Sequence, residues 1–202
     1  ENEETTINYD FGTTVSKDFM GQIMDEDKNP IFNATVKIGS SQALTDANGI
    51  FIIKNASVKS NFAYIKATKT GYLTGSRTVI PTSGVNHVKI MLLSATIVGS
   101  VNSGTTGNVA LPNGAKVNFD GNFKQEDGTI YNGNVNVVMH HLDPSDEDIN
   151  AKMPGSLLAS NANGDAKVLE TFGMVNVELQ GSSGEKLQLS GTASIEMPID
   201  PA

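Results

Sequence analysis

The strongest constraint on this chain is a two-residue period. Ala34, Val36 and Ile38 stand on one side of Thr35 and Lys37, and Val88, Ile90 and Leu92 on one side of Lys89 and Met91. Val135, Val137 and Met139 alternate with Asn134, Asn136 and Val138; Val175, Val177 and Leu179 with Asn176 and Glu178; Ala193, Ile195 and Met197 with Ser194 and Glu196. Successive side chains of a strand leave on opposite faces, so each set predicts a strand with one face in a core. No stretch carries the roughly 3.6-residue period of an amphipathic helix.

The breaks between these sets are turn chemistry. Asp46-Ala47-Asn48-Gly49 separates Ala43-Leu44-Thr45 from Ile50-Phe51-Ile52-Ile53, and its Asp, Asn and Gly supply side-chain bonding and a positive φ, which predicts a hairpin. Gly181-Ser182-Ser183-Gly184 and Asn161-Ala162-Asn163-Gly164-Asp165 are expected to be turns, and Ser103-Gly104-Thr105-Thr106-Gly107 a turn or inter-strand loop. Many short strands joined this way predict an all-β chain of two consecutive β-sandwich modules. Residues 1–14 read as a polar tether, 15–94 as the first module and 95–202 as the second, with the boundary between Leu92 and Val98.

Charge and composition exclude several classes of function. A formal charge of −8 opposes nucleic acid, whose binding needs Lys and Arg to replace counterions along the phosphates. The basic residues are scattered, without the cluster that holds a protein to anionic lipid. The absence of cysteine removes disulfides, thiolate metal sites and cysteine nucleophiles together. No apolar run approaches the roughly 18 residues of a membrane span. The lead Glu1-Asn2-Glu3-Glu4-Thr5-Thr6 reads as a tether behind a removed targeting signal and leaves a lipid anchor upstream of Glu1 open; the stop just after a strand leads us to expect further protein beyond Ala202. The expected location is extracytoplasmic, secreted or on the outer surface.

Spaced elements of the first module form a series: Gly21-x-Ile23-x-Asp25, Pro30, Ala34-x-Val36-x-Ile38, Thr45-Asp46-x-Asn48-Gly49-x-Phe51-x-Ile53 and Gly71-Tyr72. The series resembles the carboxypeptidase regulatory-like domain over roughly Lys17 to Leu93, which implies a seven-stranded, transthyretin-like (prealbumin-like) sandwich. In the second module Ala115-x-Val117-x-Phe119, Met153-Pro154-Gly155 and Phe172-Gly173-Met174-Val175-x-Val177-Glu178-Leu179 resemble the β-rich ectodomain of cartilage intermediate layer and astroprincin-family proteins. Both resemblances imply extracellular, non-catalytic modules and bring no catalytic residues.

Candidate chemistry is sparse. The histidines are His87, His140 and His141, and neither His-x-x-Glu nor His-Glu-x-x-His occurs, so the zinc peptidase suggested by the first resemblance has no ligands. His140 and His141 are neighbours on a predicted strand and leave it on opposite faces, where solvent-facing or half-packed side chains fit better than one shared ion. Asp143, Asp146, Glu147 and Asp148 lie in the densest acidic run and are the candidate calcium ligands, although the run lacks Asp-x-Asp-x-Asp-Gly spacing and reads more readily as a solvated loop. Trp is absent, which weakens both a glycosidase cleft and a stacking platform for sugars; Tyr9, Tyr64, Tyr72 and Tyr131 remain as stacking candidates against core or rim packing. No phosphate-binding glycine loop and no Gly-x-Ser-x-Gly occur. The expectation is therefore a non-enzymatic cell-surface β-sandwich protein that binds, adheres or spaces, with protein or glycan as partner and no cofactor beyond the calcium candidate. The alternative is a glycan-binding accessory protein of a sugar-uptake system.

Overall fold

The computed structural model describes residues 10–160 and 166–198. The architecture is all-β and of the sandwich type. The chain divides into two compact units: one holds the chain through Ser94 together with Glu147–Thr171, the other Ala95–Asp146 together with the chain from Phe172 on. The reading from sequence put residues 147–171 with the second module; the described residues of this stretch group with the first unit.

The first unit opens with β1 (Thr14–Met24), β2 (Thr35–Ile38), β3 (Ser41–Leu44), β4 (Ile50–Lys59), β5 (Ala63–Thr68), β6 (Gly75–Val79) and β7 (Asn86–Met91). These seven strands form two sheets, β4-β1-β7 and β3-β2-β5-β6, antiparallel throughout except for the β1–β7 pair. The alternating apolar sets meet between the sheets: Phe19, Ile23, Val36, Ile38, Phe51, Ile53, Ile65, Ile90 and Leu92 form one buried cluster. Ahead of β1 the backbone is already held, with the Thr13 and Phe11 carbonyls accepting from the amides of Ser60 and Asn61 and the Phe11 ring edge-on to Phe62 at 5.0 Å.

Asp46-Ala47-Asn48-Gly49 is a turn, and its chemistry is as expected. The Asp46 carboxylate accepts from the amides of Asn48 and Ile50 at 2.9 and 2.8 Å, and Gly49 has φ +71°. It does not close a hairpin, however. β3 pairs with β2 and β4 with β1, so the turn carries the chain from one sheet to the other. The cause lies one residue upstream. The buried Thr45 hydroxyl donates to the Ile31 carbonyl and accepts from the Ala34 amide, which ties the end of β3 to the β2 side until the turn begins.

The second unit begins with β8 (Ile97–Asn102), β9 (Gly107–Ala110), β10 (Lys116–Phe119), β11 (Phe123–Gln125) and β12 (Asn134–Leu142). The chain then contributes α1 (Ile149–Lys152), β13 (Leu158–Ser160) and β14 (Ala166–Val168) to the first unit before β15 (Met174–Gln180), β16 (Lys186–Leu189) and β17 (Ala193–Glu196) complete the second. One sheet of the second unit has the order β11-β16-β15-β12-β8 and the other β17-β10-β9, all antiparallel. Val117, Phe119, Phe123, Val135, Val137, Met139, Leu179 and Leu187 fill the space between them. The Tyr131 hydroxyl donates to the Asn134 carbonyl and accepts from the Ser182 amide, both at 3.0 Å, tying two loops to the core. The loop 181–184 is the expected turn, joining β15 to β16, whereas 161–165 lies outside the described residues.

The returning segment changes the face of β7 that alternation assigns to solvent. Lys89 is exposed as expected, but Met91 is buried, clustered with Met24 and with Ala151 of α1. Beyond α1, residues 153–156 run along the edge strand β6. The Thr78 amide donates to the Gly155 carbonyl, the Gly155 amide to the Ser76 carbonyl, and the half-buried Arg77 guanidinium to the carbonyls of Met153 and Gly155. Burial holds the Arg77 pKa below its ordinary value.

Candidate functional site

The second unit is built asymmetrically, and its candidate site follows from that. Strands in a sheet lie about 4.8 Å apart, so a three-stranded sheet falls about 10 Å short of covering a five-stranded one. Val175 and Val177 point to the core face and are nonetheless only half-buried; Ile195, which pairs with Val117 and faces the same way, is 53% exposed, and Leu189 is 36% exposed. A groove of about 530 Å³ follows this uncovered strip, floored by Phe119, Val177, Leu179 and Leu189 and walled by Ala193 and Ile195 of β17.

Among the described residues strand β17 is the edge of its sheet, and polar groups fix it to β10. Asp120 accepts from the amides of Thr192 at 2.7 Å and Asn122 at 3.0 Å, bonds that hold its pKa below the usual carboxylate range. At Gly191 a Cβ would come within 2.0 Å of the Asp120 carboxylate, so a larger residue there would push that side chain away from the Thr192 amide. On the outer face the Asn118 amide donates to Glu196 at 2.8 Å and to Ser194 at 3.2 Å, while Lys116 bonds Glu196 at 3.1 Å; the amide and the ammonium together keep the Glu196 pKa low. This outer face carries a second concavity of about 530 Å³, lined by amides and hydroxyls of Asn108, Asn118, Thr106, Thr192 and Ser194 beside Asp120.

Different groups hold the candidate calcium ligands. Asp143 accepts from the amide and hydroxyl of Ser145 at 2.8 and 2.6 Å, which lowers its pKa, and the Asp146 amide donates to the Asp143 carbonyl. Both belong to the second unit. Glu147 and Asp148 belong to the first, where Lys28 bonds Glu147 at 2.5 Å and Asp148 at 2.8 Å, and Lys89 reaches Asp148 at 3.0 Å. The Asp148 side chain is 12% exposed; hydrogen bonds from Lys28 and Lys89 hold its pKa down, and Asp148, with Glu147, in turn pushes that of Lys28 up. Among the described residues no three His, Cys, Asp or Glu converge as a metal site.

The other candidates fall as follows. His140 and His141 are consecutive on β12 and half-buried, His141 Nδ1 lying 3.0 Å from the Asn113 amide nitrogen, and His87 is exposed. Tyr131 is a core residue, Tyr72 packs half-buried against the first core, Tyr64 is exposed and Tyr9 lies outside the described residues. The clamp of Arg77 on Gly155 and the uncovered strip beside β17 escape sequence reasoning. Alternation at Ala193, Ile195 and Met197 shows a strand but not whether its apolar face has a cover.

No family model matches the chain. It is 33% identical over 88 residues, 43% of its length, to human cartilage intermediate layer protein 2, a member of one of the two groups that the motifs resemble; the match spans 7% of that protein. A solved cohesin–X-dockerin complex from Acetivibrio cellulolyticus is similar at 24% identity and a TM-score of 0.34, covering 41% of this chain and 61% of that one. A candidate carbohydrate-binding protein from Bacteroides uniformis is similar at 10% identity and a TM-score of 0.33, over 89% of this chain and 98% of that one. Among the described residues no helix is long and apolar enough to cross a membrane.

Proposed function

We propose that this chain is a non-enzymatic binding module of the extracellular space or cell surface, with the first unit acting as a stem and the second engaging a protein partner. The observation that carries the reading is the uncovered strip of the second unit: apolar side chains on a core face, half-buried or exposed, beside a strand edge. A patch of this kind is a usual mark of an interaction site. The carboxylates with shifted pKa point the same way, because turn amides, hydroxyls or lysines already engage them as structural groups. The seven strands and two sheets with which the first unit opens support its likeness to a carboxypeptidase regulatory-like domain. The acidic run fits a loop held by Ser145, Lys28 and Lys89 rather than a calcium site.

The polar concavity on the outer face of β9, β10 and β17 favours a second reading, a glycan-binding accessory protein of a sugar-uptake system, because aligned amides and hydroxyls suit sugar hydroxyls. Screening the whole chain on a glycan array and on a panel of extracellular proteins and peptides separates the two. Saturable protein binding with a blank glycan array is expected; glycan binding abolished by Asn118→Ala, with no protein ligand, replaces the first reading with the second.

A further inference from the structure

We propose that the groove beside β17 is a strand-addition site for an extended, cationic segment of another protein whose residues alternate between apolar and basic. The proposal deepens the protein-binding reading above and rests on it. Ala193–Glu196 has its β10 partner on one side, and among the described residues no strand pairs with its other side. Every second residue of an edge strand turns its N–H and C=O outward, and such a row is a template for another chain. Natural edges are blunted with Lys, Pro or a bulge, and β17 itself contains none of these.

The side chains specify what would fit. A strand laid against β17 directs alternate residues inward over Phe119, Val177, Leu179 and Leu189, a floor that only apolar groups would dry. Its other residues leave on the outer face of the sheet, where Asp120 and Glu196, the latter bonded to Lys116, flank β17; Glu126, Glu178 and Lys186 are the charged residues among those lining the groove itself. Within the second unit nine carboxylates oppose three Lys and Arg, giving a formal charge of −6 against −2 for the first unit. That excess argues against a second copy of the same acidic surface and for a basic occupant, since complementary potential steers association and like charge opposes it.

A dye-labelled peptide of about nine residues alternating valine with lysine, long enough to pass β17 at both ends, is the probe. Its binding to the whole chain is measured by fluorescence anisotropy at low ionic strength. Saturable binding is expected, with loss of about tenfold or more in affinity when glutamate replaces lysine, when proline replaces the central valine, or when the protein carries Ile195→Lys at an unchanged melting temperature. Should Ile195→Lys unfold the protein, hydrogen exchange on the wild type decides: the peptide is expected to protect the amides of Ala193–Glu196. Absence of binding, equal binding of a scrambled peptide, or protection elsewhere overturns the proposal. So does a dimer in sedimentation that Ile195→Lys dissolves, because a second copy then fills the seam. A protein ligand found in the panel but mapped away from β17 sinks this inference and leaves the protein-binding reading intact, whereas glycan-only binding removes both.

Discussion

The two units treat an exposed sheet edge in opposite ways. In the first, residues 153–156 lie along β6 and Arg77 fastens them by two carbonyls, so the edge is closed by the chain itself. In the second, β17 ends a three-stranded sheet that leaves part of a five-stranded one uncovered. Both units have full-sized aromatic cores, so the difference is not one of folding capacity. A closed edge suits a stem, and an open one beside an apolar strip suits a unit that still has something to bind.

The comparison breaks first at the cores. Phe51→Ala in the first unit and Phe123→Ala in the second are each expected to cost about 3–5 kcal/mol in denaturant unfolding, because both rings are fully buried. A cost well under 1 kcal/mol for Phe123→Ala would mean that the second unit collapses into its seam, and the contrast would fail. Next comes the clamp: Arg77→Ala is expected to cost about 1–3 kcal/mol through loss of charge-assisted bonds to two carbonyls, with faster hydrogen exchange at Thr78 and Gly155. Unchanged exchange there would show that the edge closes without Arg77.

The contrast extends to acid. Asp148 in the first unit is held by Lys28 and Lys89, whereas Asp120 in the second is held by backbone amides, and both pKa values are depressed. A depressed carboxylate contributes stability above its unfolded pKa of about 3.9 and loses it as pH falls through the folded value. Salt screens ammonium pairs more than amide bonds. In NMR titrations, 1 M sodium chloride (Debye length about 3 Å) is therefore expected to raise the Asp148 pKa and leave that of Asp120 nearly unmoved. Equal shifts would remove the distinction.

The smallest effects test the open edge and the acidic loop. Ile195→Ser is expected to change stability by less than about 0.5 kcal/mol, since half of that side chain is already in water. A loss above about 2 kcal/mol would mark Ile195 as a core residue and close the seam. Calcium is expected to leave the melting temperature where sodium chloride of equal ionic strength leaves it, because Asp148 already has two ammonium partners. A calcium-specific rise abolished by Asp146→Asn with Asp148→Asn would restore the metal reading.

Local geometry was legible in the sequence by itself. Period-two alternation at Ala34, Val36 and Ile38, and again at Val135, Val137 and Met139, marks strands because side chains leave a strand alternately, whatever that strand pairs with. The Asp46–Gly49 turn was legible for the same reason: its carboxylate and its positive φ act within a few residues. What those elements assemble into was decided elsewhere. An identical turn can close a hairpin or cross a sandwich, and the Thr45 hydroxyl, bonded to Ile31 and Ala34, selects the crossing. Burial of Met91 beside an exposed Lys89 depends on Ala151, sixty residues along the chain. The uncovered face of Ile195 depends on how many strands stand opposite it. Alternation states which residues share a face, and only the tertiary structure supplies, or omits, the second layer that covers it.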